Sequence, residues 1–144
     1  MRMKKKIKIS YFAQSKKWPR RLPKIKKISS KNLPSDGHWA QLSKGNIYYR
    51  WHHPEQKNGQ TIVMVHGFST PSFVWNGLLE GLLNKGYSIL VYDHYGRGFS
   101  ERPRTKYSLD FYVETLKELI SHQSIDEKIH FCLLYTSPSP RDKS

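Results

Sequence analysis

Two short apolar runs restrict what this chain can fold into more than any other feature. Thr61-Ile62-Val63-Met64-Val65 and Ser88-Ile89-Leu90-Val91-Tyr92 carry no charge, and they end at His66-Gly67 and at Asp93. A strand with one wet face alternates apolar and polar residues. A short run without alternation belongs instead to a strand covered on both faces, as in a parallel sheet. Parallel neighbours need a crossover, usually a helix. The segment between the runs supplies one: Phe73, Trp75, Leu78, Leu79, Leu82 and Leu83 recur at helical spacing, with Ser72 placed as N-cap and Gly86 as the stop after Lys85. A second stripe, Leu109, Tyr112, Val113, Leu116, Leu119 and Ile120 with Ser108 as N-cap, leads to a third run that begins Lys128-Ile129-His130-Phe131. Strand–helix–strand–helix–strand predicts an α/β domain with a mostly parallel sheet and flanking helices, connected by right-handed crossovers. Ahead of it, two short strands are expected between Trp39 and His53, joined near Lys44-Gly45-Asn46, and Pro54 to Gly59 reads as a turn.

Charge divides the chain. Of its 25 Lys and Arg, thirteen fall in residues 1–31, where there is no Asp or Glu, so the net charge of +14 belongs almost wholly to that segment. Residues 1–34 read as a basic arm, with Pro19 and Pro23 interrupting any long helix and too little apolar surface to offset the entropy of ordering. The arm implies at most a weak contact with acidic surfaces. The remainder, close to neutral, argues against a specific nucleic-acid partner. The charged start is not followed by an apolar stretch, so it is not a secretory signal. No run approaches the ~20 apolar residues that span a bilayer. A cytoplasmic protein is the expectation. The single cysteine, Cys132, excludes an internal disulfide and a cysteine zinc site.

Two loops carry the chemistry. Val65-His66-Gly67-Phe68-Ser69 follows the first buried run, and Asp93-His94-Tyr95-Gly96-Arg97-Gly98-Phe99-Ser100 follows the second. Together with Ser72-Phe73-Val74-Trp75 at the start of the intervening helix, they resemble the α/β-hydrolase superfamily, most closely its lipase, esterase and carbon–carbon-bond hydrolase members. The resemblance covers about Gln60 to Phe131. It implies an oxyanion-hole donor at the Phe68 N–H, with His66, Gly67 and Ser69 shaping and supporting that loop, and neither a metal nor an organic cofactor. A backbone donor placed in advance stabilises the negative charge that acyl transfer builds on oxygen. Asp93 reads as the holder of a tight turn, with Gly96 and Gly98 permitting positive φ and Ser100 closing it. Gly96-Arg97-Gly98 lacks the third glycine of a dinucleotide fingerprint.

The family's nucleophile lies in G-x-S-x-G after the fifth strand. That motif occurs nowhere in this chain; where it is due, the sequence reads Cys132-Leu133-Leu134-Tyr135. Ser137 and Ser139 stand among prolines without flanking glycines, and Cys132 reads as a buried thiol. The resemblance therefore implies the N-terminal half of an α/β-hydrolase fold, residues 35–132, with nucleophile, acid and histidine beyond the chain end. Residues 133–144 break the pattern and look like translated sequencing-adaptor DNA. The expectation is a fragment of a serine hydrolase acting on a small-molecule ester, acylglycerol or other carbonyl substrate, inactive as it stands. An epoxide hydrolase or dehalogenase with an Asp nucleophile, or a non-catalytic binding protein on the same fold, remains open.

Overall fold

The computed structural model describes residues 8–9 and 36–134. Six strands form one sheet: β1 (Lys8–Ile9), β2 (His38–Leu42), β3 (Gly45–His52), β4 (Gln60–Val65), β5 (Ser88–Tyr92) and β6 (Lys128–Leu133). A 3-10 turn, Ser72–Trp75, runs directly into helix α1 (Asn76–Leu83), and α2 (Leu109–His122) links β5 to β6. The strand order is β1-β6-β4-β5-β3-β2. Strands β1, β6, β4 and β5 are parallel, whereas β3 is antiparallel to β5 and pairs with β2 as a hairpin.

The apolar runs are explained by burial on both faces. Along β4, Ile62 and Met64 face one core while Val63 and Val65 face the other, and along β5 Ile89 and Val91 oppose Leu90 and Tyr92 in the same way. One core takes Trp75 and the leucines of α1; the other takes Leu119 of α2 with Phe111 and Leu116. The strand order requires this division. The path from β4 to β5 runs one way across the sheet, and the path from β5 past β4 to β6 runs back. Two crossovers of the same hand but opposite direction place their helices on opposite faces.

Several local expectations change on inspection. Ser72 does not cap the first helix: it lies buried inside the 3-10 turn, Pro71 precedes it with φ −65°, and no side chain caps that end. The Ser72 N–H is taken by the Asp93 carboxylate instead (2.8 Å). Ser108 does cap α2, its Oγ accepting from the Phe111 N–H (3.2 Å). The stripe on α2 is shifted, because Thr115 and Leu119 face the core while Leu109 and Val113 stay exposed. Leu133, assigned above to the non-native tail, pairs with Val65 in β6, and the Leu134 N–H donates to the Val65 carbonyl (3.0 Å). A ladder is built by main-chain groups, and leucine extends it without strain. Of the basic arm, only Lys8 and Ile9 are among the described residues. They lie opposite His130 and Phe131 on the outer edge of β6. The rest of the arm and residues 135–144 lie outside the described residues.

Gly86 ends α1 as its sequence position predicts. Its N–H donates to Leu83 O (2.9 Å) and the Tyr87 N–H to Leu82 O (3.3 Å), the paired bonds of a Schellman stop. Gly86 has φ +84°. Asn58, ahead of β4, donates its N–H to Gly86 O (2.8 Å) and its Nδ2 to Lys85 O (2.9 Å), so this helix end is tied to the strand it packs on. A Cβ at Gly86 would lie 2.8 Å from the Gln56 carbonyl oxygen. Gly86→Ala should lower the unfolding free energy by about 1–3 kcal/mol. Denaturant titration checks this, and an unchanged midpoint would contradict the assigned stop.

Candidate functional site

The carboxyl ends of β4, β5 and β6 open into a cleft of about 390 Å³ whose lining includes His66, Phe68, His94, Arg97, Tyr112 and Leu133. Because β4 stands between β5 and β6, the crossover from β4 to β5 and the one from β5 to β6 run in opposite directions across the sheet. Ligands of open α/β sheets sit at such a point.

His66 shapes the floor. Its Nε2 accepts the backbone N–H of His94 (2.8 Å), which is possible only if that nitrogen is unprotonated. The proton is therefore on Nδ1, which donates to Gly67 O (2.7 Å). The His94 ring returns the contact, its Nε2–H donating to His66 O (3.1 Å), while its buried Nδ1 has no partner among the described residues. The two rings lie 4.3 Å apart. Burial holds both imidazoles below the usual histidine range, and burial with the His66 ring alongside brings His94 down to about 3. Both are neutral at pH 7. Protonating His66 would add a donor at Nε2, where an N–H already points.

Phe68 follows at the rim, its side chain 63% exposed. Its carbonyl accepts from Arg97 Nε (2.6 Å), and the Arg97 guanidinium lies 5.0 Å above its ring. Among the described residues the Phe68 N–H meets no acceptor. Gly67 is buried beneath it and Ser69 stands exposed at the loop tip.

Asp93 joins this loop to the next. Its carboxylate is 1% exposed and accepts the Ser72 N–H (2.8 Å) through Oδ1 and the Phe99 N–H (3.0 Å) through Oδ2. Ser100 Oγ donates to Asp93 O (2.7 Å) and accepts the Tyr48 N–H (2.8 Å), which fastens the turn to β3. Gly96 and Gly98 have φ +78° and +49°. A Cβ at Gly98 would overlap the Asp93 carboxylate.

The structure thus gathers His66, Gly67 and Phe68 at the cleft and puts Asp93, Gly96, Gly98 and Ser100 behind it as a turn. Sequence reasoning passed over His94 and Arg97, both of which line the cleft. The only cue was their place inside a glycine-rich turn, which does not show partners in another loop. Cys132 lies on β6 beside Met64, and burial pushes its thiol up. Among the described residues no cluster of His, Cys, Asp or Glu has the makings of a metal site, and no helix is long and apolar enough to cross a membrane.

Comparison with known proteins agrees with the fold. A family model described as alpha/beta hydrolase fold matches residues 60–132. The chain is 33% identical over 76 residues to the cis-3-alkyl-4-alkyloxetan-2-one decarboxylase of Xanthomonas campestris pv. campestris, covering 47% of this chain and 25% of that protein. It is 28% identical over 94 residues to haloalkane dehalogenase 2 of Mycobacterium tuberculosis, covering 65% of this chain and 31% of that one. The crystal structure of the enol-lactonase from Burkholderia xenovorans superposes with a TM-score of 0.62 at 25% identity, covering 67% of this chain and 36% of that chain. The chain spans about a quarter to a third of the length of these relatives.

Two outcomes test the site's construction. Gly98→Ala should destabilise the fold by about 1–3 kcal/mol or more, whereas Gly81→Ala, on the open face of α1 with nothing near its added Cβ, should stabilise it by about 0.4–1 kcal/mol. Equal effects in chemical denaturation would contradict the turn. Stability should also fall on acidification. His94 binds its proton at about 3 when folded and near the ordinary 6.5 when unfolded, so the unfolded state takes up more protons between those values. The stabilisation is whole above that window and is lost as pH falls through it, at up to about 1.4 kcal/mol per pH unit. His94→Gln should flatten this dependence; an identical pH profile in wild type and variant would contradict the buried neutral pair.

Proposed function

Because the chain belongs to the α/β-hydrolase fold family, we propose that it carries the oxyanion side of an acyl-transfer site and that the intact protein is a serine hydrolase of a carboxylic ester, acylglycerol or carbon–carbon bond. The observation that carries this reading is the Phe68 N–H, unpaired among the described residues at the rim of a cleft over the strand ends. A backbone N–H with no internal acceptor, set beside a reaction cleft, is free to donate to an oxyanion. A serine supplied after β6 would attack the carbonyl, a histidine would take its proton, and the oxygen would gain negative charge opposite Phe68. His66 is not the base in this account, because both of its ring nitrogens are committed to the backbone.

The similarity to a haloalkane dehalogenase favours a second reading, in which an aspartate occupies the nucleophile position. The two readings diverge at one residue of the intact protein, the one that follows β6.

Two measurements test the proposal. Residues 1–144 contain no G-x-S-x-G and should hydrolyse a p-nitrophenyl ester no faster than a heat-denatured control; turnover clearly above it would refute the assignment of the nucleophile elsewhere. In the intact protein, Phe68→Pro removes the N–H and should lower kcat by about 10²–10³-fold, while Phe68→Ala keeps the N–H and should cost far less. Equal losses would show that the Phe68 ring, and not its amide, matters.

A further inference from the structure

Arg97 stands between two turn glycines, and a turn needs no arginine there. Its guanidinium instead reaches across to the other loop. Nε donates to Phe68 O (2.6 Å), Nη1 donates to Gly96 O (3.0 Å), and the flat group covers the Phe68 ring at 5.0 Å. Among the described residues it has no carboxylate partner.

The consequence lies in the two peptide planes that flank the Phe68 Cα. The plane before it, Gly67–Phe68, is held by its carbonyl, which accepts from His66 Nδ1–H (2.7 Å). No described peptide is cis, and in a trans peptide the N–H points opposite to the C=O. Fixing Gly67 O therefore aims the Phe68 N–H. The plane after it, Phe68–Ser69, is held by its carbonyl on Arg97. With both planes fixed, φ and ψ of Phe68 are fixed, although its side chain is largely exposed and Ser69 beyond it stands in solvent.

We propose that Arg97 is a positioning residue for the Phe68 amide: together with His66 it clamps the peptide planes on either side of Phe68 and so presents that N–H to the cleft. The inference deepens the oxyanion reading above and rests on it for its function, but the clamp itself is measurable without turnover.

The test is amide NMR on the ¹⁵N-labelled chain, comparing Arg97→Gln, Arg97→Lys and the exposed-charge control Arg104→Gln. In wild type the heteronuclear NOEs of Phe68 and Ser69 should match those of β4. In Arg97→Gln they should drop to flexible-loop values, while Met64 and Val91 keep their shifts and protection. Arg97→Lys keeps a cationic donor but not the planar fork, and should restore part of the order. Arg104→Gln should change nothing. A Phe68 amide that is equally ordered in Arg97→Gln, or already mobile in wild type, would overturn the clamp. So would titration with octanoate that shifts the Arg97 Nε resonance and frees Phe68, since Arg97 would then be a ligand's anchor. Failure of Phe68→Pro to affect the intact enzyme would remove the oxyanion reading and leave these NMR outcomes unchanged.

Discussion

One buried carboxylate organises the region where the cleft forms. Asp93 ends β5, and its two oxygens hold one amide from the turn that opens α1 and one from its own glycine-rich loop. Hydrogen bonds to a charged acceptor are each worth about 1.5–3 kcal/mol net. Here they do more than stabilise, because they fix how the chain leaves β5 and how it enters α1. The same loop carries His94 and Arg97, which bond directly to the loop that follows β4. The Asp93 contact also anchors the first residue of the 3-10 turn at Ser72–Trp75. Pro71 takes the N-cap position, so Ser72 lies inside that turn and not at its cap.

The second constraint is a pair of neutral histidines. His66 and His94 each use a ring nitrogen on the other's backbone, so the loops after β4 and β5 are laced together at the floor of the cleft. This arrangement requires neutral rings, and burial supplies that condition. Above the floor the surface is apolar and open: Phe68, Leu109, Val113 and Leu133 all line the cleft and all remain exposed. Together they make an apolar surface on one side of the cleft.

Much of this was legible in the sequence. The uninterrupted runs at 61–65 and 88–92 announced strands covered on both faces, and their order with two amphipathic stripes announced the parallel core. Gly86 and Ser108 marked their helix ends through local chemistry that needs no tertiary partner. The failures have a common cause. Ser72 looked like a cap because capping is local, but a 3-10 turn starts one residue earlier than the helix pattern shows and leaves Pro71 at the cap position, with the Ser72 amide tied to a residue twenty-one positions away. Leu109 and Val113 looked like core because the stripe is real, yet among the described residues that side of the helix stays exposed. Arg97 and His94 were invisible because their partners come from another loop, which local sequence does not show.

The central claim is that the Asp93 carboxylate holds both loops as part of the folded core and not as mobile surface. Native-state hydrogen exchange of the Ser72 and Phe99 amides tests it most directly. The account predicts protection comparable to the amides of β5, lost only with global unfolding. Exchange at the rate of an exposed loop at either position, with β5 still protected, would contradict it.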